Sequence, residues 1–161
     1  MLTIRPATSH DEDAIWEVFH EVTQEGGTYV YPGDTPKDKA ISIWMNEKND
    51  VYVAEEEGEI KGTYFLCPNF SGAGSHVANA SFMVSSKARG SGIGKAMAEH
   101  ALDIARQKGY RSMQFNLVVS TNENAVKLWK KLGFEIVGTL PEAFKHPKKG
   151  FVDAHVMYRH L

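Results

Sequence analysis

The sequence predicts an α/β fold built on a mixed β-sheet, and three observations support that fold class. Strand-like alternation and a 3.6-residue apolar period follow one another along the 161 residues. A strand, a helix and a second strand over residues 76–119 indicate a local parallel pair, whereas short polar connections elsewhere indicate hairpins. No internal repeat or linker interrupts this pattern, and the length suits one compact domain over residues 1–161.

The first half of the chain predicts a strand, two helices and a hairpin. Apolar residues recur at helical spacing from Ile15 to Val22, behind Ser9 and Asp11 as candidate caps. The loop over residues 28–34 is rich in aromatic residues, which makes it a candidate wall of a substrate site. The predicted elements are a strand at residues 2–5, helices around 15–22 and 40–44, and strands at 51–55 and 60–67.

The second half predicts the longest helix and four further strands. Apolar positions keep a helical period from Ile93 to Ile104, and Gly109 is a suitable C-cap for that helix. In total we expect a mixed sheet of six to seven strands, with about four helices packed on it. The predicted elements are strands at residues 76–84, 113–119, 134–139 and 152–158, with helices at 93–104 and 125–132.

The composition argues against several classes of partner and site. Eighteen Lys and Arg residues oppose twenty Asp and Glu residues, and the net charge of −2 provides no broad field for a polyanion or an anionic membrane. Cys67 is the only cysteine, so an intrachain disulfide and a thiolate zinc site are excluded. The seven histidines lack the spacing of metal ligands. We therefore expect no nucleic-acid partner and no metal.

The start of the chain and its hydropathy predict a cytoplasmic protein. Residues 1–6 contain the charged Arg5 and lack a secretory apolar core. No run of 18 apolar residues occurs anywhere, so no membrane partner is expected either.

The segment Arg89–Lys95, with the sequence RGSGIGK, lies between a predicted strand and the first turn of a predicted helix. Its glycines permit positive φ angles and close approach of a ligand, and first-turn N–H groups have no intrahelical partners. We therefore expect this turn to hold an anion such as a phosphate. A dinucleotide fingerprint would need glycine in place of Lys95, and a P-loop would need Ser or Thr in place of Ala96. The remaining alternative is a tight turn that binds nothing.

Two motifs resemble those of the GNAT (Gcn5-related) N-acetyltransferase superfamily. Its signature, Arg/Gln-x-x-Gly-x-Gly/Ala at a strand-to-helix turn, is matched by residues 89–94 without a gap. A second hallmark is an Asn-containing segment leading into a helix that ends Leu-Gly-Phe, and residues 122–134 match it. The opening over residues 4–7 is also typical, so the resemblance covers essentially the whole chain.

The resemblance implies a GNAT fold in which the fourth and fifth strands, here residues 76–84 and 112–119, splay apart into a V-shaped cleft. In the family, acetyl-CoA lies in that cleft as co-substrate, with its pyrophosphate on the amides of the glycine turn and its pantetheine arm paired with the fourth strand. The cofactor-binding residues so implied are Phe82, Met83, Val84, Arg89, Gly90, Ser91, Gly92, Ile93, Gly94, Lys95, Asn122 and Trp129.

Two positions depart from the family pattern for catalysis. Asn79 stands where many members carry a Glu as general base, and Trp129 stands where many carry a Tyr as general acid. The pattern formed by Asn79, residues 115–118, Asn122 and Trp129 is most similar to that of acetyltransferases acting on proline analogues such as azetidine-2-carboxylate. By that resemblance, Asn79 holds the substrate, and Asn116 with the Leu117 amide receives the oxyanion. Because the usual base and acid are both replaced, we expect ordered water, oriented by Asn79 and Asn116, to move the proton. The alternative for Asn116 is that it only satisfies main-chain groups where the strands separate.

The expected function is transfer of acetyl from acetyl-CoA to the amine of a small molecule, such as an amino acid or an analogue. Tyr29, Tyr31 and Tyr64 are candidates for the acceptor pocket, although tyrosines in loops and strands are half-buried packing residues at least as often. Two alternatives remain: an N-acetyltransferase for peptides or proteins, and a catalytically silent sensor of acetyl-CoA. The resemblance also implies a homodimer formed through the C-terminal strands.

Overall fold

Seven strands and four α-helices make up the protein, whose computed structural model describes all 161 residues. Short 3₁₀ turns precede the first and third helices and follow the third strand. The elements are β1 (Leu2–Pro6), α1 (Glu12–Glu25), α2 (Lys37–Trp44), β2 (Asp50–Glu56), β3 (Glu59–Pro68), β4 (Val77–Val84), α3 (Ile93–Gln107), β5 (Ser112–Val119), α4 (Glu123–Lys131), β6 (Glu135–His146) and β7 (Gly150–His160).

All seven strands form one sheet in the order β1-β2-β3-β4-β5-β7-β6. Every neighbouring pair is antiparallel except β4 and β5, which are parallel because α3 crosses over between them. The mixed sheet, its parallel pair and the number of helices are as predicted from the sequence. The fold class is therefore confirmed.

The helices cover the two faces of this sheet and bury one apolar cluster on each. On one face, α1 and α2 pack against β2, β3 and β4 around Phe19, Trp44 and Phe65. On the other face, α3 and α4 pack around Met97 and Trp129. The apolar stripe of α1, predicted from the spacing of its residues, faces the first of these clusters.

The last hairpin differs most from the prediction. A strand was expected at residues 134–139, but β6 runs to His146 and its partner begins at Gly150. Most of β6 is exposed, because it is the edge strand of the sheet and no helix packs along most of its length. Without a buried face, the period-2 pattern that marks a strand in the sequence is weak.

Candidate active site

The parallel strands β4 and β5 separate soon after they meet. Only two residue pairs are in register, Val77 with Ser112 and Ala78 with Met113. We call the gap between the diverging strands the splay. Parallel strands that stop pairing leave main-chain N–H and C=O groups without a ladder partner on the facing edges. The splay is therefore a place where a ligand could complete the sheet.

The pairing of β4 with β3 decides which of its main-chain groups face the splay. The N–H of Ser85 donates to the Lys61 carbonyl at 2.8 Å, and the N–H of Asn69 donates to the Val77 carbonyl at 2.8 Å. Hydrogen-bonded residues alternate along an antiparallel pair, so the odd-numbered residues of β4 bond to β3. The main-chain groups of Phe82 and Val84 therefore point into the splay, whereas those of Met83 point to β3.

The glycine turn lies between the end of β4 and the first residue of α3. Gly90 and Gly92 have φ angles of +77° and +85°, and no atom lies within 4 Å of where their Cβ atoms would be. Gly94 belongs to the first helical turn and has no positive φ. Two of the three glycines thus adopt the left-handed conformation, and the turn faces open space.

The amino terminus of α3 has no side-chain cap. Gly92 is its N-cap residue, and the hydroxyl of Ser91 donates to the Ala88 carbonyl instead of turning toward the helix. The first helical N–H groups, from Ile93 to Lys95, therefore have no intrahelical acceptor. Together with the positive end of the helix dipole, these groups suit a phosphate.

Acidic side chains of α1 engage the basic side chains and amides near the turn. Arg89 forms a 2.9 Å ion pair with Glu25. The carboxylate of Glu21 accepts from the N–H of Ser86, and this bond lowers the pKa of Glu21. Lys95 lies 3.8 Å from Glu99 on an exposed surface of α3. The positive charge of Arg89 is thus compensated by Glu25, and the main-chain amides are the principal donors of the turn.

Aromatic rings fill the α3–α4 side of the splay. The ring of Trp129 lies 4.4 Å from that of Phe115 on β5 and 5.1 Å from that of Phe82 on β4, centroid to centroid. Phe134 stacks on Phe115 at 4.5 Å. Trp129 is only 8% exposed. Its indole therefore forms an apolar wall at the splay rather than a free proton donor.

Tyr29 enters the splay from the opposite side of the sheet. Its hydroxyl donates to the Phe82 carbonyl and accepts from the Phe82 N–H at 3.1 Å. Burial raises the pKa of Tyr29, so the hydroxyl stays neutral. Sequence reasoning missed this contact, because the two residues are 53 positions apart and no local pattern links them.

Tyr31 lies beside Tyr29, but Tyr64 does not. The rings of Tyr29 and Tyr31 are stacked with centroids 6.3 Å apart, and burial raises the pKa of Tyr31 as well. Tyr64 is fully buried on the α3 face of the sheet, where its hydroxyl lies 2.7 Å from Nδ1 of His100. The structure therefore brings together two of the three predicted acceptor-pocket tyrosines and places the third across the sheet.

Asn79 and Asn116 lie on β4 and β5, where the strands diverge. Asn79 is half-buried beside Cys67 of β3, on the face of β4 that also carries Met83, and its amide makes no hydrogen bond within the protein. Asn116 donates from Nδ2 to Asn69 at 2.7 Å, and its Oδ1 accepts from Gln114 at 3.0 Å. One N–H of the Asn116 amide remains free for a ligand.

A β-bulge accompanies Asn116 and Leu117. The register between β5 and β7 shifts between Phe115 and Val118, so β5 has one residue more than its partner there. A bulge leaves the extra residue out of the ladder and bends the strand. It bends β5 at the level where the resemblance places the oxyanion.

Asn122 has a structural role of its own. It is the N-cap of α4, and its side-chain oxygen accepts from the N–H of Ala125 at 3.4 Å. This bond uses only the oxygen. The amide nitrogen remains available to a cofactor.

The turn between β6 and β7 lies against the loop that carries Tyr29. A Cβ atom on Gly27 would be 3.2 Å from Nε2 of His146, and one on Gly26 would be 3.5 Å from Pro147. Nδ1 of His146 accepts from the N–H of Lys148 at 3.1 Å. The β6–β7 turn, which carries the basic residues Lys148 and Lys149, therefore borders the candidate acceptor side.

Three comparisons place this architecture among known proteins. The family model described as acetyltransferase (GNAT) family matches residues 14–134. N-acetyltransferase aca1 of Schizosaccharomyces pombe is 36% identical over 101 residues, which are 62% of this chain and 48% of that protein. The chain thus spans about half the length of this curated relative.

Solved structures agree in fold over nearly the whole chain. A GCN5-related N-acetyltransferase from Kribbella flavida is 44% identical with a TM-score of 0.95, covering 99% of this chain and 98% of that one. A phosphinothricin acetyltransferase from Sinorhizobium meliloti, solved with AcCoA, shares the fold at 23% identity and a TM-score of 0.87, covering 99% of this chain and 88% of that one. The family model spans more than half of the residues, and the chain therefore belongs to the acetyltransferase (GNAT) family.

Proposed function

We propose that this protein transfers the acetyl group of acetyl-CoA to the amine of a small molecule, such as an amino acid or an analogue. The observation that carries the proposal is the splay of β4 and β5 after two residue pairs, directly followed by an uncapped helix at the glycine turn. These features offer an elongated ligand two kinds of unpaired main-chain groups. One set suits a phosphate, and the other suits an amide-containing arm.

We expect acetyl-CoA to bind along the glycine turn first and then along β4. Its pyrophosphate lies on the turn of residues 89–95 and accepts hydrogen bonds chiefly from the free N–H groups of residues 93–95, and its pantetheine arm pairs with Phe82 and Val84 on β4. The free amide nitrogen of Asn122 donates from the start of α4. Trp129 packs against the arm from the aromatic side. The residues present thus fit a CoA ester.

The reaction joins the acceptor nitrogen to the acetyl carbon and breaks the bond from that carbon to sulfur. Negative charge gathers on the carbonyl oxygen, and the free N–H of Asn116 with the Leu117 amide is proposed to receive it. Asn79, whose amide is unbonded, orients the acceptor. Because neither an asparagine nor a tyrosine with a raised pKa is a base at neutral pH, ordered water removes the amine proton. CoA leaves as the thiolate and takes up a proton from the same water, so the products are the amide and the CoA thiol.

The acceptor side of the splay, on the face of the sheet covered by α1 and α2, is enclosed and therefore suits a small acceptor. The loop between α1 and α2 presses Tyr29 against β4, and the β6–β7 turn lies on the loop from outside. Together they leave an acceptor side bounded by aromatic and neutral polar side chains. A long peptide would need the loop to move further than an amino acid would.

A thiol-release assay with acetyl-CoA tests the proposal. We expect CoA release with at least one member of a panel of amino acids, proline analogues and polyamines. Release only with peptides would replace the small-molecule acceptor by a peptide. Binding of acetyl-CoA without release for any amine would identify a sensor, and absence of CoA binding in calorimetry at millimolar ligand would overturn the whole proposal.

A further inference from the structure

Tyr29 occupies the two main-chain groups of Phe82 that face the splay. Its hydroxyl accepts from the N–H at 3.1 Å and donates to the carbonyl, so a single side chain replaces the missing strand partner. β5 cannot do so, because its last paired residue with β4 is Met113. Unpaired buried main-chain groups are costly, and Tyr29 satisfies both of them in the free protein.

The proposed cofactor needs the same two groups. An arm that begins at the glycine turn and runs along β4 reaches Val84 first and Phe82 next, so Phe82 faces the thioester end. A main-chain N–H donates one full hydrogen bond at a time. The Tyr29 hydroxyl and the acyl end of the cofactor therefore compete for one donor.

We propose, on the basis of the proposed function, that Tyr29 closes the thioester end of the cofactor site in the free protein and is displaced when acetyl-CoA binds. The rings of Tyr29 and Tyr31 are stacked, so withdrawal of one moves the other. Tyr31 in turn lies 5.3 Å from Phe19 of α1, centroid to centroid. The acceptor side therefore takes its final shape only after the cofactor is in place.

The substitution Tyr29→Phe tests this competition because it removes the hydroxyl and keeps the ring. We expect acetyl-CoA to bind Tyr29→Phe roughly fivefold or more tightly than the wild type, since one competing hydrogen-bonded group is gone. Tyr31→Phe is the matched control: it lies in the same loop, and its hydroxyl makes no hydrogen bond within the protein, so its affinity should be unchanged. Calorimetry measures all three dissociation constants.

Adenosine 3′,5′-bisphosphate supplies a control on the ligand side. It lacks the pantetheine arm and does not reach Phe82, so it should bind the wild type and Tyr29→Phe equally. A gain that also appears with this fragment would overturn the proposal, because it would not come from the thioester end. Equal or weaker binding of acetyl-CoA to Tyr29→Phe would overturn it as well, since the hydroxyl would then tolerate or assist the cofactor.

Hydrogen exchange at the Phe82 amide provides a second readout. In the free proteins, exchange should be faster in Tyr29→Phe than in the wild type, and acetyl-CoA should slow it in both. Equal exchange in the two free proteins would contradict the proposal. A wild type that binds no acetyl-CoA would instead overturn the proposed function on which this inference rests, so the two failures are distinguishable.

Discussion

The side-chain amide of Asn116 uses its oxygen and one N–H in hydrogen bonds within the protein and keeps its second N–H free at the splay. Its neighbours Asn69 and Gln114 fix the orientation of the side chain through bonds of 2.7 and 3.0 Å. A donor held in place before the reaction stabilises developing charge without reorganising. This arrangement favours the oxyanion role over a purely structural one, because a side chain that only satisfied main-chain groups would bond to the backbone.

Replacement of Asn116 by Ala should lower kcat about 10- to 100-fold with a small change in KM, because the lost bond forms only in the transition state. Steady-state kinetics with the best acceptor measures this. Asn69→Ala is the control for positioning: it keeps the donor but frees its orientation, so a smaller loss is expected. An unchanged kcat in Asn116→Ala would remove Asn116 from the oxyanion role.

Asp11 illustrates how one residue links two elements. Its carboxylate accepts from the Arg5 guanidinium at 2.8 and 2.9 Å and from the N–H of Thr8 at 2.8 Å. The side chain is only 8% exposed. The Arg5 bonds lower the pKa of Asp11 to about 2. The ionised carboxylate therefore stabilises the corner between β1 and α1.

The substitution Asp11→Asn should reduce the free energy of unfolding by about 1 to 2 kcal/mol at pH 7. Because the folded pKa lies below the unfolded value, the contribution is fully present above about pH 4 and is lost as the pH falls toward 2. Urea unfolding of both proteins at pH 7 and pH 3 checks this. A difference between the proteins that stays constant with pH would contradict the assignment.

At the scale of elements, the two ends of α3 offer a matched pair of glycines. Gly92 precedes the helix and Gly109 follows it, both with φ of +85° and with no atom within 4 Å of a Cβ position. The backbone requirement is the same at both ends. Only Gly92 lies in the proposed phosphate site.

Gly92→Ala and Gly109→Ala should each lower stability by about 1 to 2 kcal/mol, because an L-residue resists the left-handed conformation. Only Gly92→Ala should also weaken acetyl-CoA binding, by roughly tenfold or more, since it moves amides that hold the pyrophosphate. Thermal unfolding and calorimetry separate the two effects. Equal affinities of the two variants would place the phosphate elsewhere.

At the scale of the whole molecule, the β6–β7 hairpin carries an apolar surface that no helix covers. The exposed fractions are 36% for Ile136, 59% for Val137, 44% for Leu140 and 63% for Phe151. β6 is also an edge strand with an unpaired side. None of the helices is both long and apolar enough to cross a bilayer. A second copy of the chain is the occupant that the family resemblance implies for this surface.

We expect the protein to be a dimer whose interface includes β6, and Val137→Glu should shift it to the monomer because the charge would be buried between copies. Sedimentation of both proteins across a concentration series measures the masses. Lys48→Glu, in the exposed turn between α2 and β2, is the control for a charge change away from the hairpin. A monomeric wild type, or a dimer unaffected by Val137→Glu, would contradict this prediction.

Local chemistry in the sequence predicted the helices, the glycine turn and the parallel crossover, because periodicity and the φ angles of glycine are properties of neighbouring residues. Long-range packing decided the rest. The alternation of side chains along β3 places Tyr64 on the α3 face of the sheet, beside His100. Because β5 diverges from β4, the main-chain groups of Phe82 are free to bond to Tyr29. Because β6 is an edge strand, its alternation of apolar and polar residues is weak. These outcomes depend on which distant strands pair and where they part, and no stretch of sequence contains that information alone.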